Sequence, residues 1–229
     1  MKEYLTYLKK PLSGLEKEVK KIIDSYALFN KNEKIIVALS GGKDSTSVLY
    51  ILKKLGYNVE GLMIDLNLGQ WSEVHKKNMS LFCKELKIKF HTVDLKKEFG
   101  QGICFIKKIV KEKKNLSGCT VCGVIKRWIL NKWSKKLSAD KIVTGHNLND
   151  ECQTILMNFL KGNLYLGINS TPMTGISKSE KINFSIKKNF AQRVKPLFFI
   201  SESKIKEYSK KMNFPILYDR CPCAIGTYR

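Results

Sequence analysis

The chain has 229 residues and a mass of 26.3 kDa. That is ordinary for one domain with a small appendage and enough to bury a real core. No run of about 18 apolar residues is present, and the opening MKEYLTYLKK lacks the apolar segment of an export signal, so a cytoplasmic protein with no membrane partner is expected. Seven cysteines in such a chain point to thiols or metal ligands, not to a disulfide framework. With 42 basic and 20 acidic residues the formal charge is +22, which draws polyanions such as nucleic acid. The signal is blunted because Arg127, Arg193, Arg220 and Arg229 are the only arginines: a scattered lysine excess also arises from genome composition or a heat-adapted surface.

In chain order, Leu15, Val19, Ile22, Ile23 and Tyr26 predict a leading amphipathic helix within residues 1–30, ahead of a catalytic domain over 31–229. KIIVAL at 34–39 predicts a strand, and Ser45 to Leu55 a helix with Val48, Leu49, Leu52 and Leu55 on one face, ended by Gly56. VEGLMID at 59–65 predicts a second strand, Trp71 to Leu86 a helix and KFHTV at 89–93 a third strand. Val124 to Leu137 predicts a helix, KIVT at 141–144 a strand, Glu151 to Leu160 a helix and RVKPLF at 193–198 a last strand. Between them, 161–192 loses its period and predicts a mobile functional loop. Strands alternating with helices of this length imply an α/β fold, doubly wound, with a mostly parallel sheet covered on both faces. Its ligands are expected at the carboxyl ends of the strands.

The stretch VALSGGKDSTSVLY joins the first strand to its helix, where backbone N–H groups lack intrahelical partners and the helix dipole favours an anion. Gly41 and Gly42 let the backbone approach that anion. Ser40, Ser45 and Thr46 add hydroxyl donors, Lys43 a cation and Asp44 a ligand for phosphate-bound Mg²⁺. The spacing is not that of a Walker loop, and GxGxxG is absent. A plain glycine turn with a capping Ser or Asp is the structural alternative.

GCTVCGVIKRW at 118–128 places two thiols three positions apart at the start of a helical pattern. Such a pair serves zinc, a redox dithiol or an iron–sulfur cluster equally. With RCPCA at 220–224, four ligands for structural zinc are available in Cys119, Cys122, Cys221 and Cys223. Cys83, Cys104 and Cys152 lie on apolar helical faces, where core packing accounts for them.

SGGKDS resembles the pyrophosphate loop of the PP-loop ATPases, which cleave ATP between its α and β phosphates to adenylate a substrate. Together with CTVCGVIKRWILN, TGHNLNDECQTILMNFLKG and a C-terminal CP, in that order over roughly residues 30 to 225, it resembles the branch that thiolates tRNA. The resemblance implies an adenine nucleotide alpha-hydrolase-like fold, with ATP and Mg²⁺ held by Ala38, Ser40, Gly41, Gly42, Lys43, Asp44, Ser45, Met63 and Gly145. It implies a [4Fe-4S] cluster on Cys119, Cys122 and Cys221, which leaves one iron without a protein ligand, and catalytic roles for Lys126 and Asp150.

This chain departs from that pattern in three ways. Cys223 is an unexpected thiol, which could replace Cys221, cap the fourth iron, carry a persulfide or lie buried. The usual pair of acids reads Asn149-Asp150, leaving Asp150 alone. No cysteine precedes Cys83, so the terminal zinc ribbons common in the family are not expected, and Lys178, Lys181, Lys187 and Lys188 would compensate by touching RNA phosphates. His146 is expected to fix its loop in place of acting as a base.

The resemblance therefore implies a tRNA sulfurtransferase that adenylates a pyrimidine carbonyl oxygen and replaces it with sulfur. Its partners would be tRNA and a sulfide or sulfur-carrier donor, with a homodimer left open. The alternatives are a PP-loop enzyme with a small-molecule acceptor and structural zinc, and a basic RNA-binding protein without catalysis.

Overall fold

The computed structural model describes residues 3–114, 118–163, 170–175, 191–219 and 221–223. The expected strands and helices are present, with further elements near both ends and between residues 95 and 114. Helix α1 (Glu3–Leu8) and α2 (Gly14–Ser25) lead into β1 (Lys34–Leu39), α3 (Lys43–Lys54), β2 (Asn58–Asp65), α4 (Gln70–Glu85) and β3 (Phe90–Asp94). Then come α5 (Leu95–Phe99), α6 (Ile103–Lys114), α7 (Gly118–Lys136), β4 (Lys141–Val143), α8 (Leu148–Leu160), β5 (Met173–Thr174), β6 (Gln192–Val194) and α9 (Glu202–Lys211).

The leading helix begins where its cap dictates. Ser13 accepts from the Glu16 N–H while the Glu16 side chain accepts from the Ser13 N–H, a reciprocal pair that satisfies two donors of the first turn. Gly56 follows α3 with φ +77°, the left-handed residue expected there.

The strands form one 6-stranded sheet in the order β3-β2-β1-β4-β6-β5. Every pairing is parallel except that of β5 with β6. Side chains alternate along β1: Ile35, Val37 and Leu39 enter a core with α2, α3 and α9, while Ile36 enters a second with Ile142, Ile129 and Leu130 of β4 and α7. The sheet is thus covered on both faces, and β1, buried from both sides, reads as a continuous apolar run.

The strand order reverses between β1 and β4, so the loops that leave their carboxyl ends diverge and open a crevice. Helix α7 precedes β4 and runs back over the sheet, so its first turn returns to that same edge.

Two expectations change. The strand expected over 193–198 stops at Val194, because Pro196 has no N–H for the ladder; the chain turns instead, with the Phe198 N–H on the Lys195 carbonyl, and buries Leu197. The cysteines assigned to packing also divide: Cys83 is fully buried, whereas Cys104 and Cys152 are exposed. Most of the loop expected over 161–192, with its four lysines, lies outside the described residues. No described helix is long and apolar enough to cross a membrane.

Candidate active site

The turn after β1 is held by its own serines. The Ser40 N–H donates to Ser45 Oγ at 3.2 Å, Gly42 N–H to Ser40 Oγ at 3.4 Å, and Ser45 Oγ to the Gly42 carbonyl at 3.2 Å. Gly42 is the N-cap of α3, and the first intrahelical bond runs from Thr46 N–H to its carbonyl. The N–H groups just ahead of Thr46 therefore point out of the helix end, where the dipole is positive.

Gly41 takes φ +82°, and a Cβ there would lie 2.3 Å from His75 Nδ1. His75 is buried on α4, against the Trp71 ring. Its Nε2 sits 3.4 Å from Asp219 Oδ1 without making a hydrogen bond. The loop after β4 closes the other wall: a Cβ on Gly145 would lie 2.8 Å from the Ser45 nitrogen, so only glycine allows the two loops to meet.

The charged residues form a chain across this crevice. Lys43 Nζ lies 2.7 Å from Glu202 Oε1 at the start of α9 and 3.1 Å from Asp44 Oδ2. Burial pulls its pKa down, but the hydrogen bond to Glu202 and the charge of Asp44 outweigh it, and the net shift is upward. Asn147 Nδ2 donates to Asp44 Oδ1 at 3.1 Å while its Oδ1 accepts from Asp150 N–H at 3.1 Å. The Asp150 carboxylate in turn accepts from Asn147 N–H, completing the cap of α8. Burial holds the Asp44 carboxyl above its usual range, against the pull of Lys43 and Asn147, and the charge of Asp150 adds to that rise.

The two carboxylates, bridged by Asn147, are hard oxygen donors of the kind that Mg²⁺ takes. Asn149, standing where a second acid was expected, accepts from the Glu202 N–H at 2.9 Å and so docks α9. His146 bonds within its own loop, Nδ1 to Thr144 Oγ1 at 2.9 Å.

Ala38 and Met63 lie at the carboxyl ends of neighbouring strands, where Ala38 pairs with Leu62 and Leu39 with Met63. The Met63 side chain is buried in the core. Cys119, exposed, and Cys122, half-buried, occupy the first turns of α7, with half-buried Lys126 one turn further on. Soft thiolate donors at a helix start fit a cluster chemically. Among the described residues no three His, Cys, Asp or Glu side chains converge as a metal-holding group. The sulfur pair that does form is Cys104 with Cys223, Sγ to Sγ 3.2 Å, so Cys223 turns toward α6.

Glu202, Asn147 and His75 were missed in the sequence. Each meets a neighbour distant in the chain; Asn147 lies within TGHNLND, where its spacing to Asp150 could have shown the cap but not the bond to Asp44, and Glu202 and His75 belong to no motif. A family model described as PP-loop domain matches residues 11–221. The chain belongs to the PP-loop family.

Within it, the chain is 35% identical over 214 residues to the tRNA-5-methyluridine(54) 2-sulfurtransferase of Pyrococcus horikoshii, covering 92% of this chain and 63% of that protein. It is 34% identical over 219 residues to the protein of the same name from Thermotoga maritima, of which it covers 66%. The chain thus spans under two thirds of either relative's length. Among solved structures it matches the U34-tRNA thiolase NcsA of Methanococcus maripaludis, described with its [4Fe-4S] cluster, at a TM-score of 0.73 and 25% identity, over 96% of this chain and 68% of that one.

Proposed function

We propose that this PP-loop protein is an ATP-dependent tRNA sulfurtransferase, which adenylates a pyrimidine carbonyl oxygen and replaces it with sulfur. One feature of the topology carries the reading: the glycine-carved anion loop leaves the carboxyl edge of the sheet, and the helix that opens with Cys119 and Cys122 runs back into β4, which directs its start toward that edge. The names of its relatives support it.

The N-terminus of α3 and the hydroxyls of Ser40 and Ser45 hold the departing pyrophosphate. Lys43 exchanges Glu202 for phosphate oxygens, and Asp44 and Asp150 hold the Mg²⁺ that arrives with ATP. Binding that cation favours the charged form of Asp44, which burial disfavours. Lys126 stabilises charge on the activated base oxygen. A [4Fe-4S] cluster on Cys119, Cys122 and Cys221 would supply an iron free to take up exogenous sulfide. We place the reaction in the cytoplasm.

The test is an anaerobically prepared Cys119→Ala protein. It should bind ATP like wild type while losing both the brown colour and thionucleoside formation in tRNA. Retained thiolation in the colourless variant would defeat the proposal, and zinc in place of iron and sulfide in the wild type would point to a small-molecule acceptor.

A further inference from the structure

Cys221, the third ligand expected for the cluster, stands in a stretch that is anchored on both sides. Upstream, Tyr218 Oη and Ser209 Oγ of α9 lie 2.8 Å apart, and Asp219 Oδ1 faces His75 Nε2 at 3.4 Å. Downstream, Cys223 meets Cys104 of α6, and Lys107 Nζ donates to the Cys223 carbonyl at 3.4 Å. Lys107 also lies against the start of α7: its Nζ is 3.6 Å from where a Cβ on Gly118, the residue before Cys119, would be. The stretch is thus strung between His75 at one end and the helix that carries Cys119 at the other.

His75 is the end that reaches the nucleotide loop. One edge of its ring fills the space that a Gly41 side chain would need, with Nδ1 2.3 Å and Cγ 2.9 Å from the Cβ position. The Trp71 ring packs beside it at 4.1 Å between centroids, and the side chain is only 4% exposed. An interior packed this closely passes a shift on to its neighbours and does not absorb it. The other nitrogen, Nε2, is buried without a hydrogen bond. A buried polar atom left unpaired is costly, and a carboxylate is a strong acceptor to relieve it. The Asp219 side chain, 41% exposed, has room to close the remaining gap.

We infer that His75 is a positioning residue that couples the pyrophosphate loop to Cys221. An anion taken up by the N–H groups of the turn resets Gly41, the imidazole follows, and Nε2 donates to Asp219. That bond fixes the backbone two residues ahead of Cys221. By reciprocity, a fixed Cys221 favours the same setting of the turn. The inference rests on the nucleotide loop of the function proposed above, and not on its tRNA product.

The test follows alkylation of Cys221 by iodoacetamide in the full-length, metal-free protein under a phosphine reductant, with and without ATP and Mg²⁺, read by peptide mass mapping. In wild type, nucleotide should slow the reaction at Cys221 by about fivefold. Asp219→Ala leaves the loop and His75 in place, so it should bind ATP within about fivefold of wild type, the most that this coupling allows, while Cys221 loses the response. Asp219→Asn keeps an acceptor oxygen and should keep most of it. His75→Phe, which fills the same wall without an Nε2, should lose it. Equal slowing in wild type and Asp219→Ala would mean that the nucleotide shields Cys221 directly, and would overturn the coupling; so would an unchanged rate in a wild type that binds ATP. Absent tRNA thiolation with the expected pattern intact would defeat the function and leave the coupling standing. A wild type that binds no ATP defeats the function too; the coupling is then judged with inorganic pyrophosphate in place of ATP, and a Cys221 rate that it leaves unchanged would overturn it.

Discussion

The imidazole of His75 occupies the space that a side chain on Gly41 would need, with Nδ1 2.3 Å from the position of the missing Cβ. The left-handed φ of +82° at Gly41 alone costs a non-glycine residue about 1–2 kcal/mol. The collision with a buried ring adds to that cost. Gly41→Ala should therefore fold less stably and lose ATP binding by at least tenfold, the loop being displaced. The His75→Gly/Gly41→Ala double variant relieves the collision but not the backbone strain, so it should recover part of the stability and little of the binding. Strict additivity of the two changes in a denaturation cycle would show that the two residues do not touch.

Lys43 is held by Glu202 at 2.7 Å, and that carboxylate competes with phosphate for the same ammonium. The Glu202 side chain is half-exposed, so the pair is worth at most about 1 kcal/mol. Glu202→Gln should consequently tighten ATP binding by no more than about fivefold. Lys43→Met removes the cation and should weaken it by tenfold or more. Calorimetric titration with ATP and Mg²⁺ separates these cases. Weaker binding in Glu202→Gln would mean that Glu202 aims the lysine and does not compete for it.

Among the described residues, the deepest ion pair lies away from the crevice, at the other end of α3. Lys54 Nζ lies 2.8 Å from Glu16 Oε2, with side-chain exposures of 5% and 1%, and Tyr208 Oη donates to Glu16 Oε1 at 2.7 Å. Burial pushes the Glu16 carboxyl up, but hydrogen bonds from Lys54, Tyr208 and the Ser13 N–H together bring it below its ordinary range. A depressed carboxylate contributes stability that is complete above the ordinary glutamate pKa and is lost as pH falls through the folded value. Lys54→Met leaves the carboxylate buried and unpaired, which costs about 3–5 kcal/mol at neutral pH. There burial governs and the sign reverses: Glu16 protonates more readily, and the deficit should shrink on acidification. Urea denaturation at pH 7 and pH 4 reads both effects, and a deficit that stays constant with pH would refute this account.

Much of this architecture was legible because local rules and the tertiary fold agree. β1, flanked by two cores, shows an unbroken apolar run, and Gly56 ends its helix where expected. The loop at 40–45 could be read because the need for φ > 0 and for close approach left glycine as the residue of choice. The pairing of Arg193 with Asn131 could not, since it joins residues 62 positions apart, and Asn131, though it ends the CTVCGVIKRWILN stretch, carries no sign of its partner there. Pro196 did carry a local warning that the last strand would stop short. Cys104 misled because it follows Ile103, a fully buried residue, on a helix whose apolar face leaves the cysteine outside.

That exposed cysteine yields the last prediction. Cys104 and Cys223 place their sulfurs 3.2 Å apart, and a modest approach turns the contact into a bond. Diamide takes up the two hydrogens that the thiols lose, so brief treatment of the metal-free protein should link Cys104 to Cys223 in peptide maps, reversibly by dithiothreitol. Cys83 is the internal control: burial pushes its thiol up to about 12, and it should stay unmodified until the protein unfolds. A Cys104→Ser protein should lose the link yet keep any cluster held by Cys119, Cys122 and Cys221, with its visible absorbance unchanged. If bleaching accompanies that substitution, or if Cys223 links instead to Cys119 or Cys122, then Cys223 belongs with the metal-binding thiols and the pairing with α6 is wrong.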